Sequence, residues 1–156
     1  MTDSISARLA ELGITLPEAA APVAAYVPAV EIDGLLYISG QVSTRADGTR
    51  ITGTLGKDLD LEQGRLAAET CGMLLVAQMK KALGSLDRVE RVVKLGGFVA
   101  CTADFFDQPK VINGASEFME KVFGEAGRHA RSAVGVPALP LGAAVEVDAI
   151  VAVKKG

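Results

Sequence analysis

The residues with the most capacity for chemistry lie in the last quarter of the chain, His129-Ala130-Arg131-Ser132-Ala133-Val134-Gly135-Val136-Pro137-Ala138-Leu139-Pro140-Leu141-Gly142-Ala143-Ala144-Val145-Glu146-Val147-Asp148-Ala149-Ile150. The stretch reads as two β-runs around a Pro/Gly turn. Side chains on a strand alternate between faces. Arg131, Ala133 and Gly135 therefore share one face of the first run, and Ser132, Val134 and Val136 the other. In the second run Val145, Val147, Ala149, Val151 and Val153 form an apolar face. Ala144, Glu146, Asp148 and Ile150 form the opposite, mixed one. A hairpin centred near Ala138-Leu139 puts Arg131 across from Glu146 on the same face, where opposed Cβ atoms stand about 4.5–5.5 Å apart. A fixed cation beside an acid, on rigid backbone, is a site for a small carboxylate. The same pairing also reads as a cross-strand ion pair that fixes register and does no chemistry.

The other reactive residue types are few. His129, the single histidine, precedes the first run in a Gly-Arg-His-Ala loop. It reads as a residue at the mouth of the site, with a general base as the alternative. Cys71 falls on the apolar stripe of a helix and Cys101 ends an apolar strand, so both read as packing residues. Neither belongs to a C-x-x-C pair, and one histidine cannot complete a zinc set, so no metal is expected. A thiol pair of this kind gives no reason to expect a disulfide.

Composition narrows the class. A chain of 156 residues with 49% apolar residues is expected to build one domain with a real core. A net charge of −3 and 4% aromatic residues argue against a nucleic-acid partner, which calls for a basic stripe or a stacking platform. No apolar run reaches the ~18 residues that a membrane span needs. The start, Met1-Thr2-Asp3-Ser4, has neither a basic n-region nor an apolar h-region, which predicts a cytoplasmic protein without a signal peptide.

The elements that must position Arg131 and Glu146 follow from periodicity. Residues 4–13 predict a short helix, capped by Ser4 and stopped by Gly13. Together with a Pro/Ala-rich linker they form an N-terminal extension over residues 1–22, ahead of a domain over 23–156. Runs 23–32 and 35–43 flank Asp33-Gly34, a two-residue hairpin signal. Asp47-Gly48 predicts a further turn, with a short strand near Arg50–Thr52. Residues 61–83 predict the longest helix, with Ala67, Cys71 and Leu74 on its apolar side and Gly84 as its stop. Residues 88–101 read as a strand with Gly96-Gly97 as a bulge or a close backbone approach. Asp107 caps a second helix with Pro109 in its first turn and Val111, Ala115, Phe118 and Val122 as its core stripe. The predicted order is β-β-β-α-β-α-β-β. Two helices cover one face of such a sheet. The other face, carrying Ile150, Ala144, Ala133 and Phe98 or their neighbours, is expected to meet further copies of the chain, with the Arg131/Glu146 face at the junction.

This pattern resembles the Rid proteins, the RidA/YjgF reactive intermediate deaminases long labelled endoribonuclease L-PSP. The resemblance covers residues 22–154. It rests on Ala25-Tyr26-Val27-Pro28-Ala29-Val30, Tyr37-Ile38-Ser39-Gly40-Gln41-Val42 and Leu83-Gly84-Ser85-Leu86-Asp87-Arg88-Val89. It continues through Val111-Ile112-Asn113, Arg131-Ser132-Ala133-Val134, and Leu139-Pro140 on to Val145-Glu146-Val147. It implies an α+β, chorismate-mutase-like fold with both helices on one sheet face, and a homotrimer with sites between subunits. The implied activity is cofactor-free hydrolysis of small enamines and imines, of the 2-aminoacrylate or 2-iminobutyrate type, to 2-keto acids and ammonia. By the same resemblance Arg131 grips the substrate carboxylate, which suits the planar guanidinium fork, and Glu146 orients water and shuttles protons. Tyr26 walls the pocket from a neighbouring subunit, Ser39 lies at its floor, Asn113 supports it, and Ala133 offers its backbone.

The chain departs from the family pattern in four places, one of them a segment between Asn113 and Arg131 that is one residue longer than in typical deaminases. Ala25-Tyr26-Val27-Pro28 replaces the usual Pro-Tyr-Ser-Gln, His129 stands where proline is common, and the N-terminal extension is unusual. These departures bear on the side-chain pocket more than on the carboxylate grip and mark a divergent branch. The competing readings are a trimeric binding module or sensor for small carboxylic or 2-keto acids, and, more distantly, a ribonuclease. The ribonuclease reading suffers from the acidic balance and the lack of a paired histidine.

Overall fold

A computed structural model describes residues 3–21 and 25–155. The chain runs α1 (Ser4–Glu11), β1 (Ala29–Ile32), β2 (Leu35–Val42), α2 (Leu61–Leu83), β3 (Val89–Ala100), α3 (Gln108–Phe123), β4 (Ala130–Val136) and β5 (Val145–Val153). The five strands form one mixed sheet in the order β1-β2-β5-β3-β4. The expected α+β class and helix positions hold. The short strand expected near Arg50–Thr52 is reduced to isolated bridges, Thr44 with Arg50 and Thr52 with Ala143. Part of the first expected strand, residues 22–24, lies outside the described residues, and Ala25-Tyr26 forms a bend ahead of β1.

Local chemistry accounts for the element ends. Asp33 and Gly34 both take positive φ, 50° and 79°, which closes the β1–β2 hairpin with Ile32 paired to Leu35. Helix α2 begins with a reciprocal capping box: Asp60 accepts from the Gln63 backbone N–H while the Gln63 side chain accepts from the Asp60 N–H. Helix α1 is capped by Asp3, whose carboxylate accepts from Ser6 N–H at 2.6 Å. Ser4, the expected cap, instead donates its hydroxyl to Asp87. Asp107 holds the cap position of α3 with its backbone carbonyl accepting from Lys110 and Val111 N–H but makes no side-chain cap hydrogen bond; Pro109 stands in the first turn as expected.

Helices α2 and α3 pack together on one face of the sheet. Val111, Ala115, Phe118 and Val122 of α3 are buried against Ala67, Cys71 and Leu75 of α2 and the inward residues of β3 and β5. Small residues let the backbones approach: a Cβ on Gly114 would run into the Arg65 carbonyl of α2. Gly96 and Gly97 serve close approach rather than a bulge. A Cβ on Gly97 would meet Ile112, and one on Gly96 would meet the Asp148 carboxylate. The β3–β5 irregularities fall earlier, between Val89 and Arg91 and between Val92 and Lys94.

The Arg131–Glu146 hairpin does not form. Strand β4 runs parallel to β3 at the sheet edge, with Arg131 beside Leu95. Strand β5 lies on the other side of β3, antiparallel to it, with Glu146 beside Phe98. Pro140–Gly142 forms a turn of 3-10 helix on the way, and this connection carries the chain over β3 instead of folding it back on β4. Register then fixes the faces. Arg131 shares a row with Leu95 and Ala149, both buried on the helix side. Glu146 shares a row with Phe98, Val134 and Val42 on the uncovered side. Ala133 and Ala144, expected on the uncovered face, also belong to the covered side; Ala144 is fully buried. The uncovered face keeps Ile150 and Phe98 as expected and adds Val30, Ile32, Tyr37 and Val134.

Candidate functional site

The candidate residues fall into two clusters on opposite sides of the sheet. The first is built at the β4 edge against α3. Asn113 and Ser116 stand three apart and so share one helix face. The Arg131 guanidinium reaches that face through Nη1 alone, donating to Asn113 Oδ1 at 2.8 Å and Ser116 Oγ at 3.1 Å. Among the described residues its Nε and Nη2 have no partner. Partial burial holds its pKa below the usual guanidinium value, yet such a group stays charged at any physiological pH. His129 closes the cluster, with Nδ1 2.7 Å from the Gly127 carbonyl and Nε2 2.8 Å from Ser116 Oγ. Burial, with Arg131's charge adding to it, lowers the imidazole pKa against the raising effect of the Gly127 bond. These residues line a cavity of about 270 Å³ together with Glu117, Glu120 and Arg128.

The second cluster lies on the uncovered face. β2 carries a register shift between Ile38 and Gln41, with Ser39 and Gly40 at its centre. Gly40 is small because the Glu146 side chain occupies the space its Cβ would take. Glu146 is half-buried, makes no hydrogen bond among the described residues, and has its pKa raised by burial first and by Asp148 second. Asp148, over Gly96, is likewise raised by burial, which a backbone bond from Gly96 and the charge of Lys94 partly offset. Ser39 donates its hydroxyl to the Val27 carbonyl at 2.8 Å and so ties down the segment that carries Tyr26. Tyr26 is 53% exposed. Ala133 lies two residues beyond Arg131 on the edge strand, packed against the core.

Two contributions escaped the sequence reading. Ser116 was not singled out, although Asn113 and Ser116 at three-residue spacing on one helix were the available signal. The second is a buried amide relay. Gln78 of α2 donates to the Ala20 carbonyl at 3.0 Å and to Gln41 Oε1 at 3.4 Å, while Gln41 donates to the Ser39 carbonyl at 2.9 Å. The N-terminal segment is thereby linked through α2 to the Ser39-Gly40 bulge. A lone Gln inside Leu74-Leu75-Val76-Ala77-Gln78-Met79 was its mark, because a buried amide needs partners.

Among the described residues no group of three or more His, Cys, Asp or Glu side chains could hold a metal ion, and no helix is long and apolar enough to cross a membrane. The Cys71 thiol is fully buried and its pKa is pushed up, by burial first and by the Glu146 charge second.

Comparison with known proteins agrees with this architecture. Residues 6–152 match the family described as "YjgF/chorismate_mutase-like, putative endoribonuclease". Protein TCP17 of Trypanosoma cruzi is 51% identical over 148 residues, covering 94% of this chain and 92% of that protein. The crystal structure of protein Atu1372 from Agrobacterium tumefaciens, of unknown function, shares 48% identity at a TM-score of 0.89, with 96% of this chain and 92% of that chain covered. A 2-iminobutanoate/2-iminopropanoate deaminase of Dermatophagoides farinae is 28% identical over 142 residues, 90% of this chain and 95% of that protein. With the sheet order, the two covering helices and a match over nearly the whole length in agreement, the chain belongs to the YjgF/RidA family.

Proposed function

We propose that this protein hydrolyses small enamine and imine intermediates to 2-keto acids and ammonia, without a cofactor, at sites closed between the subunits of a homotrimer. The observation that carries the proposal is the half-satisfied Arg131 fork. One nitrogen is tethered to Asn113 and Ser116, and the Nε and Nη2 hydrogens are left to take a carboxylate side-on. The mite relative's name supplies the C=N chemistry.

Arg131 and Glu146 stand on opposite faces of one sheet, so a single protomer cannot bring both to one small substrate. A second copy can. Its uncovered face carries Glu146, Ser39 and Gly40, with Tyr26 close by, and docks against the β4 edge of the first. In the closed site Arg131 holds the carboxylate. Glu146 takes a proton from water as its oxygen adds to the C=N carbon. It returns that proton to nitrogen to give the carbinolamine, then carries the hydroxyl proton to the amino group, so that the C–N bond breaks, ammonia leaves and the keto-acid C=O forms. An enamine enters this sequence by first tautomerising to the imine. A carboxyl whose pKa is raised by burial suits this exchange, because accepting and returning a proton are then closer in free energy.

The test generates 2-aminoacrylate or 2-iminobutyrate in situ with a dehydratase and follows keto-acid release. The wild-type protein is expected to accelerate it. Arg131→Ala should lower the rate by about two orders of magnitude or more with the oligomer intact, the usual scale for truncating a desolvated charge partner. Failure to accelerate release across several side chains would sink the proposal. Binding of 2-oxobutyrate without turnover would then identify a carboxylate sensor.

A further inference from the structure

The Arg131 fork is oriented by a hydrogen-bond chain whose direction can be read from its chemistry. The Gly127 carbonyl only accepts, so the His129 nitrogen beside it, Nδ1, carries the ring proton. In the neutral imidazole Nε2 is then an acceptor, and its neighbour at 2.8 Å, Ser116 Oγ, must donate to it. With its proton committed to His129, the Ser116 hydroxyl offers only lone pairs to Arg131 Nη1, 3.1 Å away. Every member of the chain is satisfied in one sense only.

We propose that Ser116 and His129 are positioning residues: the neutral imidazole fixes the Ser116 hydroxyl, which holds Nη1 and leaves the Nε–Nη2 edge of Arg131 presented to a carboxylate. The assignment rests on the carboxylate-gripping role proposed above for Arg131. It goes beyond that role by giving work to the single histidine of the chain.

The surroundings favour the neutral ring. Arg131 faces it from β4, and Arg128 lines the same cavity. The α3 acids lining the same cavity are already engaged, Glu117 with Arg65 and Glu120 with Arg128 at 3.9 Å. Burial keeps the imidazole pKa low, so the donating chain persists at neutral pH. Protonation would turn Nε2 into a donor. Ser116 would then accept from both sides, its own proton would lose its acceptor, and two cations would face each other.

The experiment follows the Arg131 Nε–H signal by NMR of 15N-arginine-labelled full-length protein, assigned by its loss in Arg131→Lys. The expected wild-type result is a pH step at the midpoint of the His129 ring titration. The step should vanish in Ser116→Ala and in His129→Gln. In the imine assay Ser116→Ala and His129→Ala should each raise KM about tenfold, the scale of a lost hydrogen bond to a charged group, with kcat little changed. His129→Gln should restore KM, because its amide can both donate to Gly127 and accept from Ser116. An Arg131 signal that ignores the His129 titration overturns the proposal, as does an unchanged KM in Ser116→Ala. If the wild-type protein turns over no imine, the proposed activity fails, and the Arg131 signal still decides whether the fork is oriented in this way.

Discussion

Glu146 is held at a cost to the folded chain. Burial, and then the charge of Asp148, raise its pKa above the ordinary carboxylate value. A raised acid pKa means that the folded protein binds this proton more tightly than the unfolded chain. Stability is therefore lost as pH rises from the unfolded pKa through the folded one. Glu146→Gln removes the penalised charge while keeping the shape. The variant should be more stable than wild type at pH 7, and the difference should shrink toward zero near pH 4, where wild-type Glu146 is itself protonated. Its imine turnover should fall while 2-oxobutyrate still binds. Denaturant unfolding at the two pH values checks the first part. Equal stability at pH 7 would mean that Glu146 carries no burial penalty. A less stable variant, or unchanged turnover, would place it among ordinary register-fixing residues.

At the scale of elements, α2 and α3 set the position of the Arg131 tether. Gly114 lies between Asn113 and Ser116 at the point where the two helices touch, and any side chain there meets the Arg65 backbone. Backbone cannot yield as a flexible side chain can. Gly114→Ala should therefore destabilise the fold by about 1–3 kcal/mol, despite the better helix propensity of alanine. It should also weaken 2-oxobutyrate binding, since Asn113 and Ser116 must move with their helix. Urea unfolding and calorimetric titration read the two effects, and a wild-type unfolding midpoint would refute the helix-contact argument. The limits of α2 were legible in the sequence because the apolar periodicity and a terminal glycine agree over residues 61–84, while the Asp60–Gln63 capping box that starts it went unread. The alternation of faces within β4 and within β5 was legible for the same local reason. What could not be read locally was which strand lies beside which. A Pro/Gly turn between two β-runs signals a hairpin, but here it bridges over β3, and the pairing is decided by where β3 and the helices pack. Arg131 and Glu146 were thus singled out as candidates and misplaced as a hairpin pair. Ser116 was missed because its only mark was the three-residue spacing from Asn113, which gains meaning once α3 is known to face Arg131.

At the scale of the whole molecule, no element among the described residues covers the apolar sheet face opposite α2 and α3. Tyr37 and Val134 are each 45% exposed there, and Val30 and Ile32 extend the patch along the β1 edge. Such a surface is a liability for a lone chain and an asset for a symmetric assembly. If the faces meet around a three-fold axis, each site takes Arg131 from one protomer and Glu146 from the next, and two inactive variants can repair each other. Arg131→Ala subunits keep Glu146, and Glu146→Gln subunits keep Arg131. Around a ring, every trimer containing both kinds of subunit has one junction at which an intact arginine faces an intact glutamate. Random mixing in equal amounts makes about three quarters of the trimers mixed, each with about a third of its sites intact, so co-expression should recover about a quarter of the wild-type activity. Either variant alone should remain near background. The keto-acid assay on the unfractionated co-expressed protein measures this recovery, and mixed trimers isolated by differential tagging and tandem purification should reach about a third. Mixed trimers no more active than their parents would show that each site draws both residues from one protomer, which the opposite faces of Arg131 and Glu146 in this sheet argue against.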